Sequence, residues 1–336
     1  MKKLAMLLAA VFAMQIPAAQ NIDVHDPEII KSGDYYYVFS TGRRGSLLQA
    51  VRSKNLIDWS PAGQVFGEIP DWVRESVPGC RGFWAPAVAQ VDGKFYLYYS
   101  ASTFGRQTSA IGLTVSSTLD HTAPDYGWED RGLVVSSDPS KDFNAIDPCI
   151  IKTPEDRMYL AFGSFWGGIK MTELNLETGK PLFEDDPEFK TIATRATDNN
   201  AIEAPYIIRK GDYYYLFVSF DRCCIGIAST YKIMAGRSKN VDGPYVDRGG
   251  KLMTEGGGTL ILEGGERFKG TGHNSVLLTD AGDYLVYHTY DAERRGRPTL
   301  QIRKLTWTED LWPEAGEVVS DPRKSDPTDN EMSCRK

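Results

Sequence analysis

The stretch GDYYYVFS at positions 33–40 recurs in altered form four more times along the 336-residue chain. The later copies are GKFYLYYS at 93–100, DRMYLAFGS at 156–164, GDYYYLFVS at 211–219 and GDYLVYH at 282–288, and their starts lie 60, 63, 55 and 71 residues apart. Each copy is rich in aromatic and β-branched residues, which predicts a β-strand. A period of this size indicates a repeated supersecondary unit.

Each unit also contains further predicted strands. A second alternating run follows every aromatic strand, over 47–51, 111–115, 168–174, 231–236 and 300–305. We expect a fourth strand to begin at Trp59, Trp128, Tyr245 and Trp312. Four-stranded units repeated radially make a β-propeller, which leaves only short protected edges. The sequence therefore predicts an all-β, five-bladed β-propeller that forms a single domain over 21–320.

Three of the units carry a carboxylate beside a proline just before the aromatic strand. These are Asp26-Pro27, Asp147-Pro148 and Glu203, which precedes Ala204-Pro205. A single Asp-Pro is ordinary turn chemistry. However, the loop that enters the innermost strand of each blade faces the central channel of a propeller. We therefore expect the three acids to occupy equivalent points and to meet at one mouth, where like charges raise at least one pKa.

Paired carboxylates, no organic cofactor and a neutral substrate indicate glycoside hydrolysis, in which an acid protonates the leaving oxygen and a carboxylate activates water or attacks the sugar. The formal net charge of −7 and the pI near 5.3 give no electrostatic footprint for nucleic acid. A carbohydrate-binding propeller without catalysis is the alternative from another class. It would not need three acids at one mouth, and it would repeat one motif in every blade.

The order Asp-Pro, Trp-Ala-Pro, Ile-Asp-Pro, Glu-Ala-Pro and Gly-His-Asn resembles the glycoside hydrolases of family 43, and specifically their endo-acting α-1,5-L-arabinanases. The likeness is carried by STFG at 102–105, NAIDP at 144–148 and a long run over 220–245. It implies a five-bladed propeller that hydrolyses internal bonds of arabinan with inversion. It also implies that Asp26 is the general base, Glu203 the general acid and Asp147 the carboxylate that tunes the pKa of the acid.

The resemblance also implies a set of substrate and metal contacts. The positions that match sugar contacts are Trp84, Phe104, Gly105, Asn144, Ala145, Ile146, Ser164, Phe165 and Trp166. His273 matches a histidine that ligates a structural calcium ion in the channel, although calcium prefers oxygen ligands. Cys149 and Gly167 depart from the family pattern beside these positions. The balance between endo and exo action therefore stays open.

Two other activities of the same family are possible. An exo-acting arabinanase or α-L-arabinofuranosidase would need only one inserted loop that blocks the groove. The β-xylosidases typically append a β-sandwich, and the last predicted strand ends near Leu305, which leaves about thirty residues. We expect a lone propeller, followed by a C-terminal tail over 321–336.

The N-terminus has the pattern of a secretory signal peptide over 1–20. Lys2 and Lys3 precede an apolar stretch over 4–14, and small residues follow at 17–20. The apolar stretch is too short for a membrane span, which takes about 20 residues. We expect a secreted or periplasmic monomer whose partner is arabinan or an arabino-oligosaccharide, with no membrane contact once the signal is removed.

The five cysteines are Cys80, Cys149, Cys223, Cys224 and Cys334. Their odd number and spacing match no metal-ligand pattern. Cys223 and Cys224 either form a vicinal disulfide or shape a loop as two buried thiols, and we favour the buried thiols.

Overall fold

The computed structural model describes residues 22–43, 45–184, 187–197 and 199–319. The predicted signal peptide over 1–20, the predicted tail over 321–336 and Cys334 lie outside these residues. None of the described helices is long and apolar enough to cross a membrane.

Five four-stranded antiparallel sheets make up the described chain. Blade one contains β1 (Glu28–Ser32), β2 (Tyr35–Thr41), β3 (Leu48–Ser53) and β4 (Ser60–Pro61). Blade two contains β5 (Phe83–Val91), β6 (Lys94–Ala101), β7 (Ser109–Ser116) and β8 (Glu129–Ser137). Blade three contains β9 (Cys149–Lys152), β10 (Met158–Phe162), β11 (Ile169–Leu174) and β12 (Lys190–Ala193).

Blade four contains β13 (Ile202–Lys210), β14 (Tyr213–Phe220), β15 (Lys232–Ser238) and β16 (Thr259–Glu263). Blade five contains β17 (Phe268–Thr279), β18 (Gly282–Asp291), β19 (Arg297–Trp307) and β20 (Pro313–Val318). The described helices are α1 (Asp71–Ser76) and three 3₁₀ turns at Gly226–Ala228, Met253–Glu255 and Ala292–Arg294.

The first strands of the five sheets form a closed ring. Each of β1, β5, β9 and β13 contacts the first strand of the next blade, and β17 contacts β1. Blade five is joined to blade one by the hydroxyl of Ser275, which donates to the carbonyl oxygen of Pro27 at 2.8 Å. The predicted all-β, five-bladed propeller is confirmed.

The aromatic strands are the second strands of the blades, and they are buried on both faces. In β6 every residue after Lys94 is buried. The reason is that each sheet packs face to face with both neighbouring sheets. Tyr37 and Phe39 of blade one, for example, share a core cluster with Phe83 and Tyr99 of blade two. Full burial of one such side chain contributes roughly 1.5–3 kcal/mol, so these contacts hold adjacent blades together.

The predicted start of the fourth strand is correct in three of the four blades for which it was named. Trp59, Trp128 and Trp312 each precede an outer strand by one residue. Tyr245 does not, because β16 begins only at Thr259. Tyr245 is 1% exposed and packs in the core cluster shared by blades three and four. Its aromatic side chain serves that core, while the chain that follows makes isolated bridges and a 3₁₀ turn.

Candidate active site

One left-handed backbone position repeats at the channel end of all five blades. The residues are Asp26, Ala85, Asp147, Ala204 and His273, with φ of 57°, 34°, 58°, 55° and 47°. Positive φ is uncommon for residues other than glycine. Five equivalent cases show that the fold itself imposes this turn, and a proline follows it in four of the blades.

The backbone N–H of each left-handed residue donates to a side chain of the preceding blade. In four cases the acceptor lies on a second strand, and these four are Thr41, Ser100, Ser219 and His288. The matching residue of blade three is Gly163, where a Cβ would come within 2.4 Å of the carbonyl oxygen of Gly168. Oδ2 of Asp147 accepts the N–H of Ala204 instead, at 3.2 Å. This hydrogen bond holds the side chain of Asp147 beside the backbone of blade four, next to Glu203.

The prediction that the three acids occupy equivalent points is wrong for Glu203. Asp26 and Asp147 are left-handed residues, but in blade four that position belongs to Ala204. Glu203 stands one residue earlier, and the same place in blade two is held by Trp84. The acids therefore come from two adjacent positions of the repeat. Even so, the structure brings all three to the wall of one cavity of about 1010 Å³.

Asp26 is surrounded by hydrogen-bond donors. Its Oδ2 accepts from the hydroxyl of Thr41 at 2.5 Å and lies 2.7 Å from Nδ1 of His25, while its Oδ1 lies 2.9 Å from Nδ1 of His273. Burial alone would raise the pKa of Asp26, but attraction and hydrogen bonds to His25 and His273 hold it well below its usual value. Asp26 is therefore ionised at neutral pH.

Asp147 lies beside Glu203 in the same cavity, and its pKa shifts in the opposite direction to that of Asp26. Burial raises the pKa of Asp147 to about 8, and the neighbouring charges of Glu203 and Asp26 add to the rise although His273 opposes it. Glu203 accepts hydroxyl hydrogen bonds at both oxygens, from Ser164 at 2.6 Å and from Tyr231 at 2.5 Å. A protonated carboxyl group and an ionised carboxylate thus line the same cavity, and acid and base catalysis requires such a pair.

Three histidines surround Asp26, and they differ in their capacity to bind a metal. His25, Asp26 and His288 bring possible ligand atoms within 4.8 Å of one another. However, Nδ1 of His288 already accepts the N–H of Asp26 at 3.1 Å, and Nδ1 of His25 faces the carboxylate. His273 also directs Nδ1 to Asp26, but its Nε2 lies on the other side of the ring. A metal-ligating histidine commonly has this geometry, so His273 fits a cation that takes its other ligands from water.

Eight of the nine predicted sugar contacts line the cavity. They are Trp84, Phe104, Gly105, Asn144, Ile146, Ser164, Phe165 and Trp166. The side chains of Phe104 and Trp166 are 78% and 41% exposed, so each presents a ring to solvent. Ala145 is not on the wall, because its methyl group is fully buried in the core between blades two and three.

The two departures from the family pattern have a structural basis. A Cβ at Gly167 would lie 2.2 Å from the carbonyl oxygen of Asp142, so no side chain fits there. Cys149 is buried, and its sulfur accepts the backbone N–H of Ile207 at 3.2 Å. Both residues therefore support the wall of the cavity and do not face it.

Cys223 and Cys224 are joined by a disulfide, so the preference for two buried thiols is wrong. The loop that carries them connects β14 to β15 at the rim of the cavity, where Cys224 is exposed. No apolar core surrounds them there. Cys80 and Cys149 are free thiols within the described chain.

Several residues of the site were not predicted from the sequence. Tyr231, His25, His288 and Thr41 contact the acids directly, and Arg43, Arg222, Ile225 and Pro298 line the cavity. A signal for Thr41 and His288 exists in the repeat, because they match Ser100 and Ser219 at the ends of the aromatic strands. Tyr231 has no such signal, since its hydroxyl reaches Glu203 from another part of the same blade.

The chain is similar to known proteins in both sequence and fold. The sequence profile described as "Glycosyl hydrolases family 43" matches residues 18–313. An extracellular exo-α-(1→5)-L-arabinofuranosidase of Cellvibrio japonicus is 43% identical over 94% of this chain and 92% of its own length. An extracellular endo-α-(1→5)-L-arabinanase of Bacillus subtilis is 40% identical over 92% and 94%. The solved structure of a Cellvibrio cellulosa α-L-arabinanase complexed with arabinohexaose superposes with a TM-score of 0.82, at 42% identity over 88% of this chain and 96% of that chain.

Proposed function

The chain belongs to family 43 of the glycosyl hydrolases and is a glycoside hydrolase, and we propose that it cleaves internal α-1,5-L-arabinofuranosidic bonds of arabinan with inversion. The observation that carries the proposal is the contrast within one cavity between the ionised Asp26 and the protonated Asp147 beside Glu203. The proposed specificity for arabinan is supported by the relatives. One is named an endo-α-(1→5)-L-arabinanase, and another is an arabinanase whose structure contains arabinohexaose.

Asp26 acts as the general base. A carboxylate has about four acceptor positions, and Thr41, His25 and His273 occupy three of them in the structure. The remaining position is on Oδ1, and it suits the water that attacks the anomeric carbon. The three donors fix the carboxylate and keep it ionised, so that it can remove the proton from this water.

Glu203 acts as the general acid, with Asp147 as its tuner. Because the pKa of Asp147 is raised to about 8, a proton is present beside Glu203 at neutral pH. Because the two carboxyl groups repel each other as ions, they hold this one proton as a pair. In the reaction Glu203 passes the proton to the leaving oxygen, while Asp147 orients the substrate. The hydroxyls of Ser164 and Tyr231 hold both oxygens of Glu203 in place.

The stereochemical outcome follows from the roles. In an inverting glycosidase the acid and the base lie on opposite sides of the scissile bond, roughly 6.5–9.5 Å apart, so that a water fits between base and sugar. Asp26 and Glu203 come from blades one and four, with their own separate sets of donors. Proton NMR of the first-formed product tests this step. Inversion predicts the β-anomer of the new reducing end, and the α-anomer would contradict it.

Nε2 of His273 would hold a cation in the channel, which we expect to be calcium. It would supply positive charge close to the carboxylates. Metal analysis of the purified protein, with activity assayed before and after chelation, tests this expectation. Absence of a stoichiometric ion together with unchanged activity after chelation would contradict it.

The cleavage pattern has two candidates. Endo action is proposed because side chains from all five blades line the groove, with the exposed rings of Phe104 and Trp166 available to further sugar units. Exo action is the second candidate, since the relative from Cellvibrio japonicus is named as an exo-acting enzyme. A time course on linear arabinan separates them. Mixed oligosaccharides early in the reaction indicate endo action, and one short product throughout indicates exo action.

The catalytic roles are tested with Asp26→Ala and Glu203→Ala on linear arabinan. Each variant should lose nearly all release of oligosaccharides while it still binds arabinan in a retardation gel. Asp280→Ala, an exposed turn residue outside the cavity, is the matched control. Release at the wild-type rate from either active-site variant would contradict the assigned catalytic roles. A wild-type protein that binds arabinan but releases no oligosaccharide would favour a carbohydrate-binding propeller instead.

We also propose that the protein is exported and that residues 1–20 are removed as a signal peptide. The support is the N-terminal sequence pattern, together with the extracellular designation of both relatives. N-terminal sequencing of the protein expressed in its secreting host tests this. A mature chain that still begins at Met1 would contradict it.

A further inference from the structure

A chain of hydrogen bonds connects the disulfide loop to Asp26. The backbone N–H of Cys224 donates to the hydroxyl of Tyr290 at 2.7 Å. The same hydroxyl lies 2.8 Å from Nε2 of His25, whose Nδ1 lies 2.7 Å from Oδ2 of Asp26. The series therefore runs from a loop on the cavity rim, through blade five, to the carboxylate in blade one.

The hydrogen bond at the loop has a fixed direction. A backbone N–H can only donate, so Tyr290 accepts from Cys224 and its own proton is free to point to Nε2 of His25. When Nε2 accepts, the ring proton of a neutral imidazole must be on Nδ1. His25 then donates to Asp26. The carboxylate of Asp26 favours the same tautomer, because the opposite one would place a lone pair against it, so Tyr290 and Asp26 act on His25 together.

We propose that Tyr290 is a positioning residue that fixes the tautomer of His25, and that the disulfide loop fixes Tyr290. This inference rests on the proposed role of Asp26 as general base. Tyr290 touches neither the reacting atoms nor the substrate in this arrangement. It acts through His25, which keeps one oxygen of the base engaged so that the other oxygen meets the water.

The loop is built to hold the donor in place. Cys224 has a φ of 67°, which is uncommon for a residue with a side chain, and it is bonded to Cys223. The N–H of Ile225 donates to the hydroxyl of Ser229, and the N–H of Thr230 donates to the carbonyl oxygen of Arg222. These contacts close the loop on itself and hold the Cys224 N–H towards Tyr290.

The same loop also leads to a residue that contacts Glu203, the proposed general acid. It ends at Tyr231, whose hydroxyl donates to Oε1 of Glu203. Cys223, Cys224 and Ile225 line the cavity, and Ile225 is 51% exposed. A substrate in the groove therefore meets a surface that is tied at one end to the base and at the other end to the acid.

The ring of His25 would stay in position without Tyr290. It stacks on His288 with 3.9 Å between the ring centroids and an interplanar angle of 25°. Tyr290→Phe consequently removes one hydroxyl but leaves the stacking surface. Tyr287→Phe is a matched control, since Tyr287 lies on the same strand, is buried, and bonds Arg303 outside the cavity.

The first measurement is the tautomer of His25 by long-range ¹⁵N NMR of the imidazoles, which is tractable because the sequence has only 4 histidines. We expect Nδ1–H with an unprotonated Nε2 in the wild type and in Tyr287→Phe, and a smaller population of that state in Tyr290→Phe. A wild-type ring protonated at Nε2, or the same spectrum in Tyr290→Phe as in the wild type, would overturn the inference.

The second measurement is kinetic. Tyr290→Phe should lower kcat about tenfold and leave KM within about twofold, because a misplaced base slows the chemical step without removing a substrate contact. Tyr287→Phe should keep the wild-type kcat. Equal kcat values for the two variants would overturn the inference.

Replacement of both cysteines by serine tests the loop. Cys223→Ser combined with Cys224→Ser should change the His25 spectrum in the same direction as Tyr290→Phe. An unchanged spectrum would remove the loop from the inference. Asp26→Asn separates this inference from the proposed function: if that variant stays active, the role of Asp26 is wrong, whereas an inactive Asp26→Asn with no tautomer change in Tyr290→Phe contradicts the positioning role alone.

Discussion

Asp26 and Asp147 occupy the same left-handed position in blades one and three, and each is followed by a proline, yet their pKa values shift in opposite directions. Both carboxyl groups are almost completely buried, so burial raises both pKa values. The difference comes from their neighbours. Two imidazoles face Asp26, whereas Glu203 and Asp26 itself act on Asp147. The fold supplies the position, and residues of other blades supply the chemistry.

Gly163 is what makes blade three different. In the other blades the residue at this place has a side chain that accepts the next left-handed N–H. Without one, Asp147 turns to the N–H of Ala204 and is held next to Glu203. The lack of a side chain at Gly163 therefore lets Asp147 lie beside Glu203, whose charge raises the pKa of Asp147, although the hydrogen bond from Ala204 lowers it.

The largest effect that this comparison predicts is on catalysis. Asp26→Asn removes the base, which normally contributes about 10²–10⁴-fold, so we expect kcat on linear arabino-oligosaccharides to fall by about 10³-fold. Asp147→Asn should cost less, about 10²-fold, because the acid and the base both remain. Steady-state kinetics of the purified variants measures this. Equal losses would mean that the two positions are not differentiated in the way proposed.

The repeat and the fold class were predictable because each blade repeats the same buried aromatic strand. Five copies of one pattern outweigh the uncertainty of any single copy. The outer strand of blade four was missed because Tyr245 resembles the residues that begin outer strands, although its side chain belongs to the core between blades. Outer strands carry few buried residues, so their sequence pattern is weak.

The acids were predictable as candidates, but their environments were not. Asp26 and Ala204 each stand directly before the proline of their blade. The sequence alone therefore shows that Glu203 stands one residue earlier in the repeat than Asp26. Which donors reach each carboxylate depends on contacts between blades. One example is Nδ1 of His273, which lies 2.9 Å from Oδ1 of Asp26. No local pattern encodes such contacts. No local pattern encodes the contact of Tyr231 with Glu203 or that of Tyr290 with His25 either.

His273 is the neighbour that acts on both acids, since it lowers the pKa of Asp26 and of Asp147. His273→Gln should raise both pKa values, and kcat should fall about tenfold. A base with a raised pKa becomes protonated at higher pH, so the acid limb of the kcat/KM profile should move to higher pH. A pH profile over the range of stability of both proteins measures this, and an acid limb that stays in place would contradict the role of His273.

The smallest expected effect is on stability, and it should differ in sign between the two aspartates. The folded pKa of Asp147 is above its unfolded value near 4, so its stability contribution is lost as pH rises from about 4 to about 8. Asp147→Asn avoids this loss and should gain on the order of 1–3 kcal/mol over the wild type at pH 8, but little at pH 4.

The folded pKa of Asp26 is below its unfolded value, so its contribution is present above about pH 4 and is lost as pH falls. Asp26→Asn should therefore lose on the order of 1–3 kcal/mol at pH 7. Urea unfolding midpoints of both variants at pH 5 and pH 8 measure the two signs. If both variants shift the midpoint the same way at pH 8, the neighbours of the two aspartates do not determine their charge states, and the assignment of base and tuner would have to be reversed or abandoned.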